Sequence, residues 1–219
     1  MQKQDLSREV PLTLGASALL VVDVQNYCSR PDGGEFSNVA TGGAEQDNSY
    51  YFQRLSEVTL PAIRRLQEAC RAKGIEVLFT VIESLTLDGR DRSLDYKITG
   101  FNVPRGSWDA QVLDEIAPVG DEIVLPKTAS SVFNATNIDY VLRNLGVRHL
   151  MIVGGLTDQC VESAVRDACD LGYLVTLVTD GCATMTPERH ENSLRSIRGY
   201  CRQRESGELI AEIEALAKA

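Results

Sequence analysis

The chain has 219 residues, 43% of them apolar, with 22 Lys and Arg against 31 Asp and Glu, giving a net charge of -9 and a pI near 4.8. That length supports one full core, so residues 1–219 are read as a single α/β-sized domain. With no apolar run of about 18 residues, no basic and apolar leader in MQKQDLSREV, and no surplus of Lys and Arg for phosphates, the expectation is a soluble, cytoplasmic protein that binds neither membrane nor nucleic acid.

In chain order, ALLVVDV (18–24) is the first predicted strand. Residues 28–49, CSRPDGGEFSNVATGGAEQDNS, are too long and too rich in Gly, Ser and Asn for an ordinary connection and are expected to form a functional loop, either a lid or a subunit contact. A helical pattern over 51–73 ends at Lys73-Gly74, and EVLFTVI (76–82) is the second strand. The charged stretch LDGRDRSLDYK (87–97) precedes a helical pattern over 108–116 and a third strand, EIVLP (122–126). A helix over 136–145 stops at Gly146, HLMIVGG (149–155) is the fourth strand, and a helix over 158–171 stops at Gly172. LVTLVTD (174–180) is the fifth strand, a helix over 187–203 has Pro187 in its first turn, and GELIAEIEALAKA is expected to be a sixth strand turning into a short helix. Near-continuous aliphatic runs alternating with amphipathic segments predict a doubly wound, mostly parallel sheet with helices on both faces.

In such a sheet ligands bind beyond the carboxyl ends of the strands, at the switch point. The polar residues there are Asp23, Glu83, Lys127, Thr157 with Cys160, and Asp180. With Thr157 as an N-cap, Cys160 falls at the third helical position, beside unpaired N–H groups and the positive end of the helix dipole, where a thiol pKa is lowered and an oxyanion finds donors. The plainer reading is a small apolar residue packing the first turn. Six cysteines without C-x-x-C spacing or secretory context form neither a disulfide framework nor a structural zinc site, and Cys28 and Cys182 also fall near strand ends. His149 begins strand four and His190 lies in a later helix, so neither is placed as the general base for Cys160. Asp23 as base, with Lys127 balancing the charges, makes a constellation from three strand ends.

Three segments, LLVVDVQN with Asp23, LPKTASSVFNATNIDYVLRNLGV with Lys127 and LMIVGGLTDQCVESAVRDACDLGY with Cys160, followed by VTLVTDGCAT, resemble the isochorismatase-like cysteine hydrolases from about residue 16 to residue 200. The resemblance implies a three-layer fold with six parallel strands in the order 3-2-1-4-5-6, a triad of Asp23, Lys127 and Cys160, an oxyanion hole from the N–H groups of Leu156 and Cys160, and a non-proline cis peptide within Gly155-Leu156-Thr157. The metal-binding nicotinamidases of that family carry an Asp-x-His pair after strand two. Here Glu83 and Leu85 stand there, and no histidine occurs before residue 149. The resemblance therefore implies a hydrolase with no metal or other cofactor, cleaving a C–N bond of a small amide, ureido or carbamoyl compound through a thioester. It also implies a homo-oligomer, dimer or tetramer. The alternatives are vinyl-ether hydrolysis of the isochorismatase type and a non-catalytic binding protein. Asn26, Tyr27, Glu83, Arg92, Lys97, Trp108, Phe133 and Gln159 are the candidates for contacting substrate, with Arg92 or Lys97 suited to a carboxylate and Glu83 to an NH2 group.

Overall fold

Aliphatic strands need cover on both faces, and the computed structural model, which describes residues 6–37 and 47–217, supplies it. Strands β1 (Ser17–Val22), β2 (Glu76–Ile82), β3 (Ile123–Lys127), β4 (His149–Gly155), β5 (Leu174–Ala183) and β6 (Arg202–Arg204) form one all-parallel sheet in the expected order β3-β2-β1-β4-β5-β6. The single-turn helices α1 (Asn26–Ser29) and α2 (Gly34–Ser37) follow β1, and α3 (Ser49–Arg54) and α4 (Leu60–Lys73) precede β2. Helix α5 (Leu94–Thr99) follows β2; α6 (Val132–Ala135) and α7 (Ile138–Asn144) follow β3; α8 (Glu162–Asp170), α9 (Pro187–Ile197) and α10 (Ser206–Ala215) complete the chain. Among the described residues no helix is long and apolar enough to cross a membrane. Residues 38–46 of the expected functional loop lie outside the described residues.

Side chains alternate across the strands, so β1 feeds two cores. Ala18, Leu20 and Val22 pack with Ile138 and Leu142 of α7, Ala164, Val165 and Ala168 of α8, and Ile197 of α9. Leu19 and Val21 pack on the opposite face with Ile63, Leu66 and Cys70 of α4 and Leu209 and Ile213 of α10.

The helix expected over 51–73 begins two residues earlier, at Ser49, and passes through a π-helical turn at Leu55–Thr59 before ending at Gly74, whose φ of +69° only glycine adopts freely. The helix expected over 136–145 starts instead at Ile138, where Thr136 Oγ1 accepts from the Ile138 N–H at 3.0 Å. Residues 108–116 do not form one helix. They make two short 3₁₀ turns, because their backbone is engaged by the chain after β1: Asn26 N–H donates to Gln111 O at 2.9 Å, Leu113 N–H donates to Val24 O at 3.2 Å, and Gln25 bridges Val112. The helix expected over 187–203 stops at Ile197, and the sixth strand is Arg202–Arg204 rather than part of GELIAEIEALAKA. This edge strand is polar because Arg202 is buried against Thr176 Oγ1 and Glu212, whereas Leu209 and Ile213 have the spacing of an apolar helical face. Within the charged stretch LDGRDRSLDYK, Ser93 caps α5 by accepting from Tyr96 N–H at 3.2 Å.

Gly154 sits at a register shift between β4 and β5 with φ +126° and lies so close to β1 that an added Cβ would stand 2.1 Å from Val22 O. Past this point β1 kinks, and the Gln25 carboxamide restores its pairing with β2 by donating from Nε2 to Ile82 O at 2.9 Å while accepting the Ile82 N–H. Gly154→Ala is expected to lower unfolding stability by roughly 2 to 5 kcal/mol, combining an unfavourable φ with a backbone clash, and to do so through the midpoint of a denaturant curve rather than its slope.

Candidate active site

Asp23 follows β1 with φ +54°, a left-handed conformation that Asp tolerates better than most residues. The kink turns its carboxylate across the end of the sheet, where Thr80 Oγ1 of β2 donates to Oδ1 at 3.0 Å. Lys127, the last residue of β3, lies two strands away, a span of about 10 Å at ordinary strand spacing that suits a long, unbranched side chain. Its Nζ reaches Asp23 Oδ2 at 2.8 Å, with the Lys and Asp side chains 0% and 1% exposed. It also donates to Ala129 O at 2.8 Å and Tyr96 Oη at 3.2 Å, and stands 3.4 Å from Cys160 Sγ. Three N–H bonds thus serve four neighbours, and the long contact to sulfur is mainly electrostatic.

Cys160 arrives from the far side of β1, on a π-helical turn at Thr157–Val161 that leads into α8. Leu156, not Thr157, caps this turn, and the Thr157 hydroxyl is taken up elsewhere, 3.0 Å from His190 Nδ1. Arg54 Nη2 lies 3.1 Å from His190 Nε2, and a guanidinium only donates; the ring proton is therefore on Nδ1, directed at Thr157 Oγ1. Burial and the Arg54 charge hold His190 neutral, its pKa lowered to about 4. His149, at the opposite end of β4, bonds Thr176 Oγ1 at 2.7 Å.

The thiol's electrostatics run against the expectation of a depressed pKa. Burial pushes Cys160 up to about 12; Lys127 opposes this, while Asp23, which accepts the thiol's hydrogen bond, adds to it. The same carboxylate holds Lys127 firmly protonated against its own desolvation. The resting site accordingly holds a thiol aimed at a carboxylate, with an ammonium touching both. The Gly155–Leu156 peptide beside it is cis, within the tripeptide expected to contain such a bond.

Asp23, Leu156, Gln159 and Cys160 line a cavity of about 10 Å³, room for roughly one water, together with Cys28, Glu35, Ile82, Phe101 and Gly155. Lys127 lies behind Asp23 and the thiol. The other substrate-contact candidates face elsewhere. Asn26 Nδ2 donates to Trp108 O at 2.9 Å, Tyr27 is buried against Phe101, and Trp108 is half exposed on the surface. Glu83 accepts from Gly106 N–H at 2.7 Å outside the cavity, Arg92 braces its own loop through Gly89 O and Phe101 O, Lys97 is exposed on α5, and Phe133 packs on Tyr173. Cys28 does reach the cavity, its thiol donating to Asp23 O at 2.9 Å, whereas Cys182 is enclosed in the core. A larger open concavity of about 760 Å³ on the outer side of α4, bordered by Arg64, Arg65 and Asp180, contains no nucleophile of this kind.

The sequence reading missed Thr80, Tyr96, Glu35 and Phe101. Thr80 left a trace, since a hydroxyl inside EVLFTVI, a strand covered on both faces, needs a buried partner. Glu35 left none, because residues 28–49 carry no period from which a direction can be read.

A cysteine hydrolase from Pseudomonas syringae pv. phaseolicola has the same fold, with a TM-score of 0.78 at 23% identity over 98% of this chain and 99% of that one. An N-carbamoylsarcosine amidase from Thermoplasma acidophilum matches with a TM-score of 0.67 at 26% identity, covering 87% of this chain and 96% of that one. The ureidoacrylate amidohydrolase RutB of Rhizobium rhizogenes is 30% identical over 204 residues, 83% of this chain and 77% of that protein, and RutB of Agrobacterium fabrum is 30% identical over 208 residues, 83% of each. Fold, site and relatives define an enzyme, a hydrolase. Residues 17–206 match the isochorismatase domain, and the chain belongs to the isochorismatase family.

Because Asp23 and Lys127 are buried together, removing only the cation strands a charge. Lys127→Met, which keeps the bulk of the stem, is expected to cost about 3 to 5 kcal/mol of unfolding free energy at pH 7, and adding Asp23→Asn to restore part of it, as read by denaturant titration of both variants.

Proposed function

We propose that this protein is a metal-independent cysteine amidohydrolase that cleaves a C–N bond in a small amide, ureido or carbamoyl compound. The observation that carries this reading is the closed triangle at the switch point, with Nζ of Lys127 2.8 Å from Asp23 and 3.4 Å from the Cys160 sulfur. A thiol with a pKa near 12 needs its base within reach, and the carboxylate already accepts its hydrogen bond.

In the proposed reaction Sγ of Cys160 attacks the carbonyl carbon as its proton passes to Asp23, so that no free thiolate has to form in the buried site. Lys127 offsets the negative charge throughout. The backbone N–H groups of Leu156 and Cys160 hold the oxyanion. Collapse of the tetrahedral intermediate breaks the C–N bond, and Asp23 returns its proton to the departing ammonia or amine. Water then attacks the thioester, giving a proton to Asp23. The C–S bond breaks, the acid leaves, and the thiol regains its proton. One carboxyl alternates between base and acid across two acyl transfers. The amidohydrolases among the relatives support the choice of a C–N bond.

The test is a screen of ureido acids, small amides and carbamates for ammonia release, run with wild type, Cys160→Ala and Cys160→Ser. Release by wild type and its abolition in both variants, with unchanged circular dichroism, is the expected outcome; more than a few per cent residual turnover in Cys160→Ala would exclude the covalent route. Asp23→Asn and Lys127→Ala should each lower kcat by roughly 10² to 10⁴, and the double variant should fall little below the worse single one, since the two act as a unit.

A further inference from the structure

Lys127 has fewer protons than acceptors. Its ammonium carries three N–H groups and has, among the described residues, four neighbours: Asp23 Oδ2 and Ala129 O, each at 2.8 Å, Tyr96 Oη at 3.2 Å and Cys160 Sγ at 3.4 Å. The two short bonds go to a carboxylate and to a carbonyl two residues along the chain, so one N–H is left for the phenol and the sulfur. Tyr96 is held firmly in this position. Ser93 N–H donates to Thr128 O at 2.9 Å, which ties the start of α5 to the residue after Lys127, and the Ser93 hydroxyl accepts from Tyr96 N–H at 3.2 Å. The Tyr96 ring is buried and packs on Phe101 with centroids 5.2 Å apart. Its centroid lies 5.7 Å from Nζ, so the oxygen rather than the ring face is presented to the ammonium. Burial, opposed by Lys127, raises the phenol's pKa and leaves it neutral. Which of the two acceptors takes the remaining N–H then turns on the state of the sulfur. A phenol oxygen accepts better than a neutral thiol, whereas a thiolate, being charged, accepts better than a phenol.

We propose that Tyr96 is a positioning residue for Lys127: it takes the third N–H while Cys160 is a thiol and yields that N–H to the sulfur only as the sulfur becomes charged. The exchange needs no movement beyond a turn of the ammonium about its Cε–Nζ bond. As the thiol proton passes to Asp23, the sulfur accepts the Lys127 N–H in place of Tyr96, and when the sulfur is next protonated the bond returns to the phenol. The proposal rests on the reading of Cys160 as the nucleophile and adds what keeps that nucleophile dormant between turnovers. A sulfur that lines the cavity is thereby slow towards other electrophiles. Y96F leaves the third N–H with the sulfur as its remaining partner, and the thiolate becomes easier to form.

The experiment measures the alkylation rate of Cys160 by iodoacetamide at pH 8, read by peptide mass mapping at that residue, in wild type and Y96F and again in both with Asp23→Asn and Lys127→Met added. In the first pair Y96F is expected to react about three- to tenfold faster; in the second, where the ammonium is gone, it should give no acceleration. The ultraviolet absorbance of the thiolate, taken in an alkaline titration as the difference from the matching Cys160→Ala protein, should appear at lower pH in Y96F than in wild type. An unchanged or slower rate in Y96F would overturn the role of Tyr96. Equal acceleration in the proteins without Lys127 would overturn it too, by showing that the substitution merely opens a path to the sulfur. Where Y96F yields no folded protein, Tyr96→Leu, which also lacks the oxygen, carries the same four-way comparison. Neither readout requires turnover. Acceleration that depends on Lys127, in a chain that releases no ammonia from any amide or ureido compound, would keep the control of the sulfur by Tyr96 and sink the hydrolase reading. An amidohydrolase in which Y96F changes neither readout would keep that reading and overturn the proposal.

Discussion

A carboxylate and an ammonium removed from water to 1% and 0% exposure are the interaction around which the rest of this site is arranged. Desolvating two such ions costs several kcal/mol each, and their attraction offsets this only when the leftover lone pairs and protons are also met. The structure meets them with a threonine hydroxyl on one carboxylate oxygen and a carbonyl and a phenol on the ammonium. These partners come from β2, from the turn after β3 and from α5, so the pair requires three neighbouring strand ends at one level. The parallel register supplies that, with Val22 opposite Thr80 and Ile82 opposite Lys127. The sulfur is the last member of the cluster, reached from the other side of the switch point.

The cis-peptide turn that carries the sulfur is held from behind by a second network, built around the Arg54 guanidinium and a neutral imidazole. Arg54 grips Cys182 O and Thr179 O while donating to His190, which is directed at Thr157; Ser193 donates to Thr157 O at 3.2 Å. A neutral imidazole suits this place. A protonated one beside Arg54 would set like charges together and forfeit the acceptor that the guanidinium needs.

The strands were legible in the sequence wherever both faces were buried, because two-sided burial leaves an unbroken aliphatic run, as in LLVV and HLMIVGG. The same logic failed for Arg202–Arg204, an edge strand whose stability comes from polar side chains rather than from apolar cover. Residues 108–116 misled in the opposite way: their spacing suits a helix, but long-range backbone bonds from Val24 and Asn26 take them over. At the site, Asp23, Lys127 and Cys160 could be found because each interrupts or ends a recognisable element. The walls of the cavity could not, since which loop side chains turn inward is decided by close approaches such as Gly33 on α1, and these have no period.

The Gln25 carboxamide, which takes the place of a peptide unit opposite Ile82, has a bearing on how the molecule assembles. Both of its bonds there span 57 positions of sequence, as does the bond from Thr80 that orients Asp23. The kink that aims the carboxylate is thus not encoded locally; it closes only after β2 has docked, and Lys127 and Cys160 join it from still farther along the chain. Closing loops of this length is entropically demanding and belongs to the slow part of folding a parallel sheet. The cluster of Asp23, Lys127 and Cys160 therefore depends on contacts between segments far apart in sequence, and no single local element can hold the carboxylate, the ammonium and the thiol together.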